Sequence, residues 1–137
     1  MIEQYVSPLG VIPMDKRIYN DMDEAHYWLE EYFGGKCPQW RPEMHLQGTD
    51  FQLRVWHLLR EIPYGETVSY GELAHRISSR MSPQAVGQAV HQNPCPVIIP
   101  CHRVVGAGGR LTGYALGLEF KSALLAFERN TCSGRKG

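Results

Sequence analysis

The sequence predicts a mostly α-helical fold with one short β element, organised around a helix-turn-helix pair and preceded by an abbreviated N-terminal region. Three observations carry this expectation. Two capped helix starts follow one another: Ser69 with Glu72 three positions on, then Ser82 directly ahead of Pro83, with the polar turn Ser78-Ser79-Arg80-Met81 between them. Apolar residues recur at helical spacing before and after that pair. The β-branched run Val97-Ile98-Ile99, bounded by Pro96 and Pro100, reads as a short buried strand. With 137 residues, 43% hydrophobic and 20% charged, the chain suits one compact core with a small appendage.

Taken in order, Tyr5-Val6 and Val11-Ile12 can form a hairpin across Pro8-Leu9-Gly10. Residues 21–33 suit a helix, since Asp21, Asp23 and Glu24 favour its positive end and Gly34-Gly35 stop it; Ala25, Trp28, Leu29 and Tyr32 make its apolar face. Residues 35–41 read as a linker. Thr49 caps a second helix with Gln52 completing a capping box, and Phe51, Val55, Leu58 and Leu59 form its buried stripe until Pro63-Tyr64-Gly65. The third and fourth helices run from Tyr70 to about Ile77 and from Pro83 to about His91. Ala85, Gly87 and Ala89 on the fourth are small; they suit either close packing inside the protein or close approach of a partner. Gly106, Gly108, Gly109 and Gly113 give a flexible loop carrying Arg110, and residues 118–129 form a last amphipathic helix. The resulting division is an N-terminal region over 1–47, a main domain over 48–129 and a polar, disordered tail over 130–137.

No apolar run approaches the roughly 18 residues of a membrane span, and the N-terminus lacks the pattern of a signal peptide. An intracellular protein without membrane partners is expected, cytoplasmic in a prokaryote and nuclear in a eukaryote. In a reducing compartment Cys37, Cys95, Cys101 and Cys132 stay as thiols, open to metal binding or nucleophilic chemistry. Net charge is zero, but residues 1–50 hold nine acidic and four basic side chains and residues 51–137 hold five and ten. The second half is therefore the better candidate for a polyanionic partner.

A cysteine becomes a useful nucleophile when a base generates its thiolate, and His102 adjoins Cys101. On a regular strand the two side chains point to opposite faces, so they can cooperate only if the chain bends, which Pro100 favours. Glu128 follows Leu124 and Leu125 by four and three positions, so it is either a buried partner for a base or an end-of-helix residue that reaches solvent. Asn93-Pro94 reads as a turn in which Asn93 bonds nearby backbone.

The chain resembles the O6-alkylguanine-DNA alkyltransferases from Gly48 to Glu128, through Gly48-Thr49-Asp50-Phe51-Gln52, Val55-Trp56, Ile62 to Tyr70, Ala85-Val86-Gly87, Asn93-Pro94, Pro100-Cys101-His102-Arg103-Val104 and Gly113-Tyr114. The resemblance implies a winged helix-turn-helix-like DNA-binding domain, and the chain's size and short polar tail make a monomer the default. Such a domain takes an alkyl group irreversibly from guanine O6, or thymine O4, onto Cys101 without any cofactor. It assigns His102 as the residue that deprotonates Cys101 through a water, Glu128 as the carboxylate that orients His102, and Asn93 as an organiser of the site's hydrogen bonds. It places Tyr70 and Tyr114 beside the extruded base, Tyr114 donating to the guanine oxygen. It also assigns Ala85, Gly87 and Ala89 to close contact with the minor groove of double-stranded DNA and Gln84 to the position that fills the gap in the base stack. Arg110, a basic residue on the glycine-rich loop, is a candidate for phosphate contact by its placement alone.

The chain departs from that family at three places. Gln84 stands where an arginine is usual, losing the charge and fork of a guanidinium and implying weaker extrusion or duplex affinity. Ala115-Leu116 is more apolar than the corresponding segment of relatives. The N-terminal region is short, and Cys37, His26 and His45 lack the spacing of a tight zinc set, so no metal is expected. Two other readings remain open: an alkyltransferase-like module that binds damage without transfer, against which the intact Cys101 stands, and a thiol hydrolase using Cys101, His102 and Glu128.

Overall fold

The computed structural model describes residues 2–132. Across them run β1 (Ile2–Val6), β2 (Val11–Asp15), α1 (Met22–Phe33), α2 (Asp50–Leu59), β3 (Val68–Ser69), α3 (Tyr70–Ile77), α4 (Pro83–His91), β4 (Val104–Val105) and α5 (Leu118–Thr131). Short 3-10 turns cover Cys101–Arg103 and Ala107–Gly109.

The helix starts lie where the sequence puts its caps. Asp21 accepts from the Asp23 and Glu24 amides, and Gly34 closes α1 with Ala25, Trp28, Leu29 and Tyr32 buried. Thr49 with Gln52 and Ser69 with Glu72 each form a complete capping box, and Ser82 accepts from the Ala85 amide ahead of α4. The hairpin is longer than its turn signal predicts, pairing Ile2 with Asp15 through Val6 with Val11. It lays Ile12 and Met14 onto the core at period two.

Three expectations need correction. Val97-Ile98-Ile99 is buried but is not a strand: it is a turn in which the Ile98 amide donates to Pro96 O and the Ile99 amide to Cys95 O. Asn93 braces this turn, accepting from the Cys95 amide and donating to Ile99 O, and Val97 is held at φ 73°. The β pairing lies instead between β3 and β4, which run parallel with Val68 opposite Val104 and Ser69 opposite Val105. It ties the start of α3 to the residues directly after Arg103. The tail is shorter than expected, because Asn130 and Thr131 belong to α5 and Cys132 is buried at its end; the expected disorder of 133–137 lies outside the described residues.

The third correction concerns the thiols. Cys37 and Cys132 are joined in a disulfide across a sequence separation of 95, with Cα atoms 5.9 Å apart, leaving Cys95 and Cys101 as free buried thiols. Cysteine number and compartment carry no information on spatial proximity; the fold brings these two within bonding geometry. One hydrophobic core joins Ile12, Met14 and Leu29 from the N-terminal region to Val55, Leu59, Leu73, Val86, Val90 and Leu124.

Candidate active site

Pro100 leads into a 3-10 turn, so Cys101 and His102 do not alternate across a strand. Cys101 is 8% exposed and its amide donates to Ile99 O at 2.8 Å. Burial pushes its thiol up to about 11, with the Asn93 side chain and the Lys121 charge pulling the other way. A thiol held this high is protonated at neutral pH. It needs a base to become a nucleophile.

His102 is fully buried, and its Nε2 lies 2.6 Å from Glu128 Oε2. Around Glu128 the chain gathers every donor in reach. Tyr32 Oη donates to Oε2 at 2.6 Å, Arg103 donates from Nε to Oε1 at 2.8 Å and from Nη2 to Oε2 at 3.0 Å, and the Gly65 amide donates to Oε1 at 3.2 Å. Burial alone raises a carboxyl, but here His102 and Arg103 outweigh it and hold Glu128 well below the usual carboxylate range. An ionised carboxylate only accepts, so the His102 proton sits on Nε2 and Nδ1 keeps its lone pair. Nδ1 is buried and makes no protein hydrogen bond among the described residues. Burial also lowers the proton affinity of His102 against the pull of Glu128, so the ring is a neutral base at rest.

Arg103 is fixed from three sides. Besides Glu128 it donates from Nη1 to Ile62 O at 2.6 Å, and its guanidinium lies 4.5 Å from the centre of the Tyr64 ring. The buried Lys121 donates to Thr112 O at 2.8 Å, which anchors the loop before Tyr114 to α5.

Cys101 opens on a small pocket whose walls include Val90, His91, Asn93, Pro96, Gly113 and Tyr114. Tyr114 presents a buried hydroxyl with no protein partner among the described residues, and burial raises its pKa, keeping the phenol protonated as a donor. Its ring stands edge-on to His102 at 6.5 Å. Tyr70 of α3 meets Nε2 of His91, one of the residues that line this pocket, at 3.3 Å. Gly113, at φ 27°, leaves room for that imidazole: a Cβ there would stand 2.7 Å from His91 Cε1.

The structure thus brings Cys101, His102, Glu128, Asn93, Tyr114 and Tyr70 together. Of the residues assigned to the helix-turn-helix surface, Gln84 and Arg110 are exposed and Ala85 and Gly87 are half-buried, Gly87 lying beside the Tyr70 ring. Ala89 is a correction. It is 2% exposed and its carbonyl accepts from Trp56 Nε1 at 2.9 Å, so it packs α4 onto α2 and offers no surface for a groove.

Sequence reasoning missed Tyr32, Arg103, Lys121 and His91. Lys121 had a readable signal, since it shares the buried face of α5 with Leu124, Leu125 and Glu128. The others depend on contacts between distant elements. Among the described residues no group of three or more His, Cys, Asp and Glu side chains can hold a metal, and Cys37 is engaged with Cys132.

A buried thiol beside a histidine and an ionised carboxylate, at the foot of a helix-turn-helix, defines a cysteine-dependent group-transfer protein. Residues 50–130 match the family described as 6-O-methylguanine DNA methyltransferase, DNA binding domain. The chain belongs to that family. It is 50% identical over 105 residues to a methylated-DNA–protein-cysteine methyltransferase of Methanosarcina acetivorans, covering 77% of this chain and 67% of that one. Among solved structures it resembles Mycobacterium tuberculosis OGT in complex with DNA, with a TM-score of 0.84 and 37% identity over 95% of this chain and 93% of that one. It also resembles Schizosaccharomyces pombe Atl1 in complex with damaged DNA containing O6-carboxymethylguanine, with a TM-score of 0.50 and 28% identity over 61% of this chain and 79% of that one.

Proposed function

We propose that this protein repairs DNA by moving the alkyl group of O6-alkylguanine onto Cys101 in a single irreversible event. The observation that carries the reading is the fully buried pair of neutral His102 and ionised Glu128 next to a thiol that cannot ionise unaided. His102 Nδ1 takes the Cys101 proton through a bridging water, and the imidazolium is stabilised by Glu128. The thiolate attacks the alkyl carbon, an S–C bond forms, and the C–O bond breaks with its electron pair going to guanine O6. Tyr114 donates to that oxygen as charge develops there. The thioether is stable, so each molecule acts once and needs no cofactor.

The guanine must leave the duplex to reach a pocket this enclosed. α4 enters the minor groove as a monomer, with Ala85 and Gly87 toward the backbone, Gln84 at the gap in the base stack and Arg110 on phosphate. The test is a peptide mass map after incubation with a duplex containing O6-methylguanine. One methyl on the Cys101 peptide, absent in Cys101→Ala, is the expected result; repeated turnover of an ester would point to a hydrolase instead.

A second reading rests on Gln84, which is exposed and uncharged at the position where the family resemblance implies an arginine. It gives a module that binds alkylguanine with weak transfer, in which case binding persists with no added mass. Gln84→Arg is expected to raise duplex affinity and transfer rate; unchanged values of both would remove this role for Gln84.

A further inference from the structure

Glu128 is held from a part of the chain that lies outside the matched family region. Tyr32 belongs to α1, yet its hydroxyl donates to Glu128 Oε2, the same oxygen that faces His102 Nε2. The ring has little freedom: it stacks on Trp28 at 5.4 Å, meets Phe33 edge-on at 4.9 Å and touches Phe127 of α5 at 5.6 Å. Tyr32 is 1% exposed and Glu128 fully buried, so no solvent competes for the bond. Oε2 therefore divides its lone pairs among Tyr32, His102 and Arg103, while Oε1 serves Arg103 and the Gly65 amide.

We propose that Tyr32 is a positioning residue of the transfer site, which through its bond to Glu128 sets how strongly the carboxylate stabilises the His102 imidazolium. This rests on the functional reading above. Each donor on the carboxylate spreads its charge and makes it a weaker partner for the imidazolium. Removing the phenol leaves the same carboxylate with more charge directed at His102. Proton affinity on His102 then rises, and the ring stays protonated, useless as a base, to a higher pH.

The other groups around His102 bound the effect. Lys121 and Glu128 face it from α5, Arg103 from its own turn, and Tyr114 from the following loop, while Tyr64 bears on Arg103 and Cys101 precedes it in the chain. None of these changes in Tyr32→Phe, which keeps the ring and its stacking and removes one hydroxyl.

Two reactions of Cys101 read the result: methyl transfer from an O6-methylguanine duplex, and alkylation by iodoacetamide followed by peptide mass mapping. The second needs no guanine, so a failure of the repair reading leaves it informative. Tyr32→Phe is expected to move the acidic limb of both pH profiles upward by about one unit, as loss of a charge-assisted hydrogen bond would. Trp28→Phe, which loosens the same packing without touching the hydroxyl, is expected to lower thermal stability and leave the midpoint in place. Superimposable profiles for wild type and Tyr32→Phe, or an equal shift in Trp28→Phe, would overturn the proposal.

Discussion

Glu128 and Arg103 show how much one buried charge depends on another. The carboxylate has donors on both oxygens, and most of its partners are themselves buried. Glu128→Gln leaves the Arg103 guanidinium 4% exposed and without its counter-ion, a change that costs on the order of 3–5 kcal/mol. The pH dependence has a definite sign. A carboxyl whose folded value lies below its unfolded value stabilises the fold fully above about pH 4.3, and that contribution is lost as pH falls toward the folded value. His102, lowered by burial, adds a loss of stability as pH drops below about 6.5. Urea midpoints for wild type and Glu128→Gln should therefore differ most near neutrality and converge in acid. A gap of constant size across that range would mean that Glu128 is not ionised in the fold. Little of this network was legible beforehand. Periodicity placed Glu128 on a stripe with Leu124 and Leu125, but it could not tell a solvated helix end from a buried hub, because the deciding partners sit near positions 32, 65 and 103.

The helices were legible for a local reason. Thr49 with Gln52, Ser69 with Glu72 and Ser82 with Pro83 each specify a start within four residues, and the structure uses all three. The β element was misplaced because pairing is not local. Val68-Ser69 and Val104-Val105 are too short to announce themselves, whereas Val97-Ile98-Ile99 is buried by a turn that Asn93 closes from outside the run. The junction of α4 with the loop ahead of α5 has the same character. His91 fills the space over Gly113 and reaches Tyr70, so one imidazole links α4, α3 and the segment leading to Tyr114. Gly113→Ala is expected to cut the transfer rate, through both its positive φ and the collision with the His91 ring. His91→Ala in that background relieves the collision and should return part of the rate in stopped-flow assays; a double variant no better than Gly113→Ala would place the whole cost in the backbone.

The N-terminal region is not a detachable preface. Its Ile12, Met14 and Leu29 enter the same core as Leu124, Tyr64 Oη donates to Pro38 O, and Tyr32 reaches Glu128. The division at residue 47, read from motif content, falls just ahead of residue 50, where the family match begins, and marks no break in packing. Cys37 and Cys132 make the connection covalent at the end of α5, one turn beyond Glu128. A cross-link between residues 95 apart restricts the unfolded chain strongly, worth about 2–4 kcal/mol in typical cases. For a chain of this size that corresponds to a loss of roughly 10 °C in Tm when both cysteines become serine. The comparison is made on oxidised protein, with a non-reducing peptide map confirming the Cys37–Cys132 link in the wild type. Adding dithiothreitol should bring the wild type down toward the double-serine variant and leave that variant unmoved. Equal melting points in oxidant would show that the packing of α1 against α5, with Tyr32 at its centre, holds the two regions together without the covalent bond.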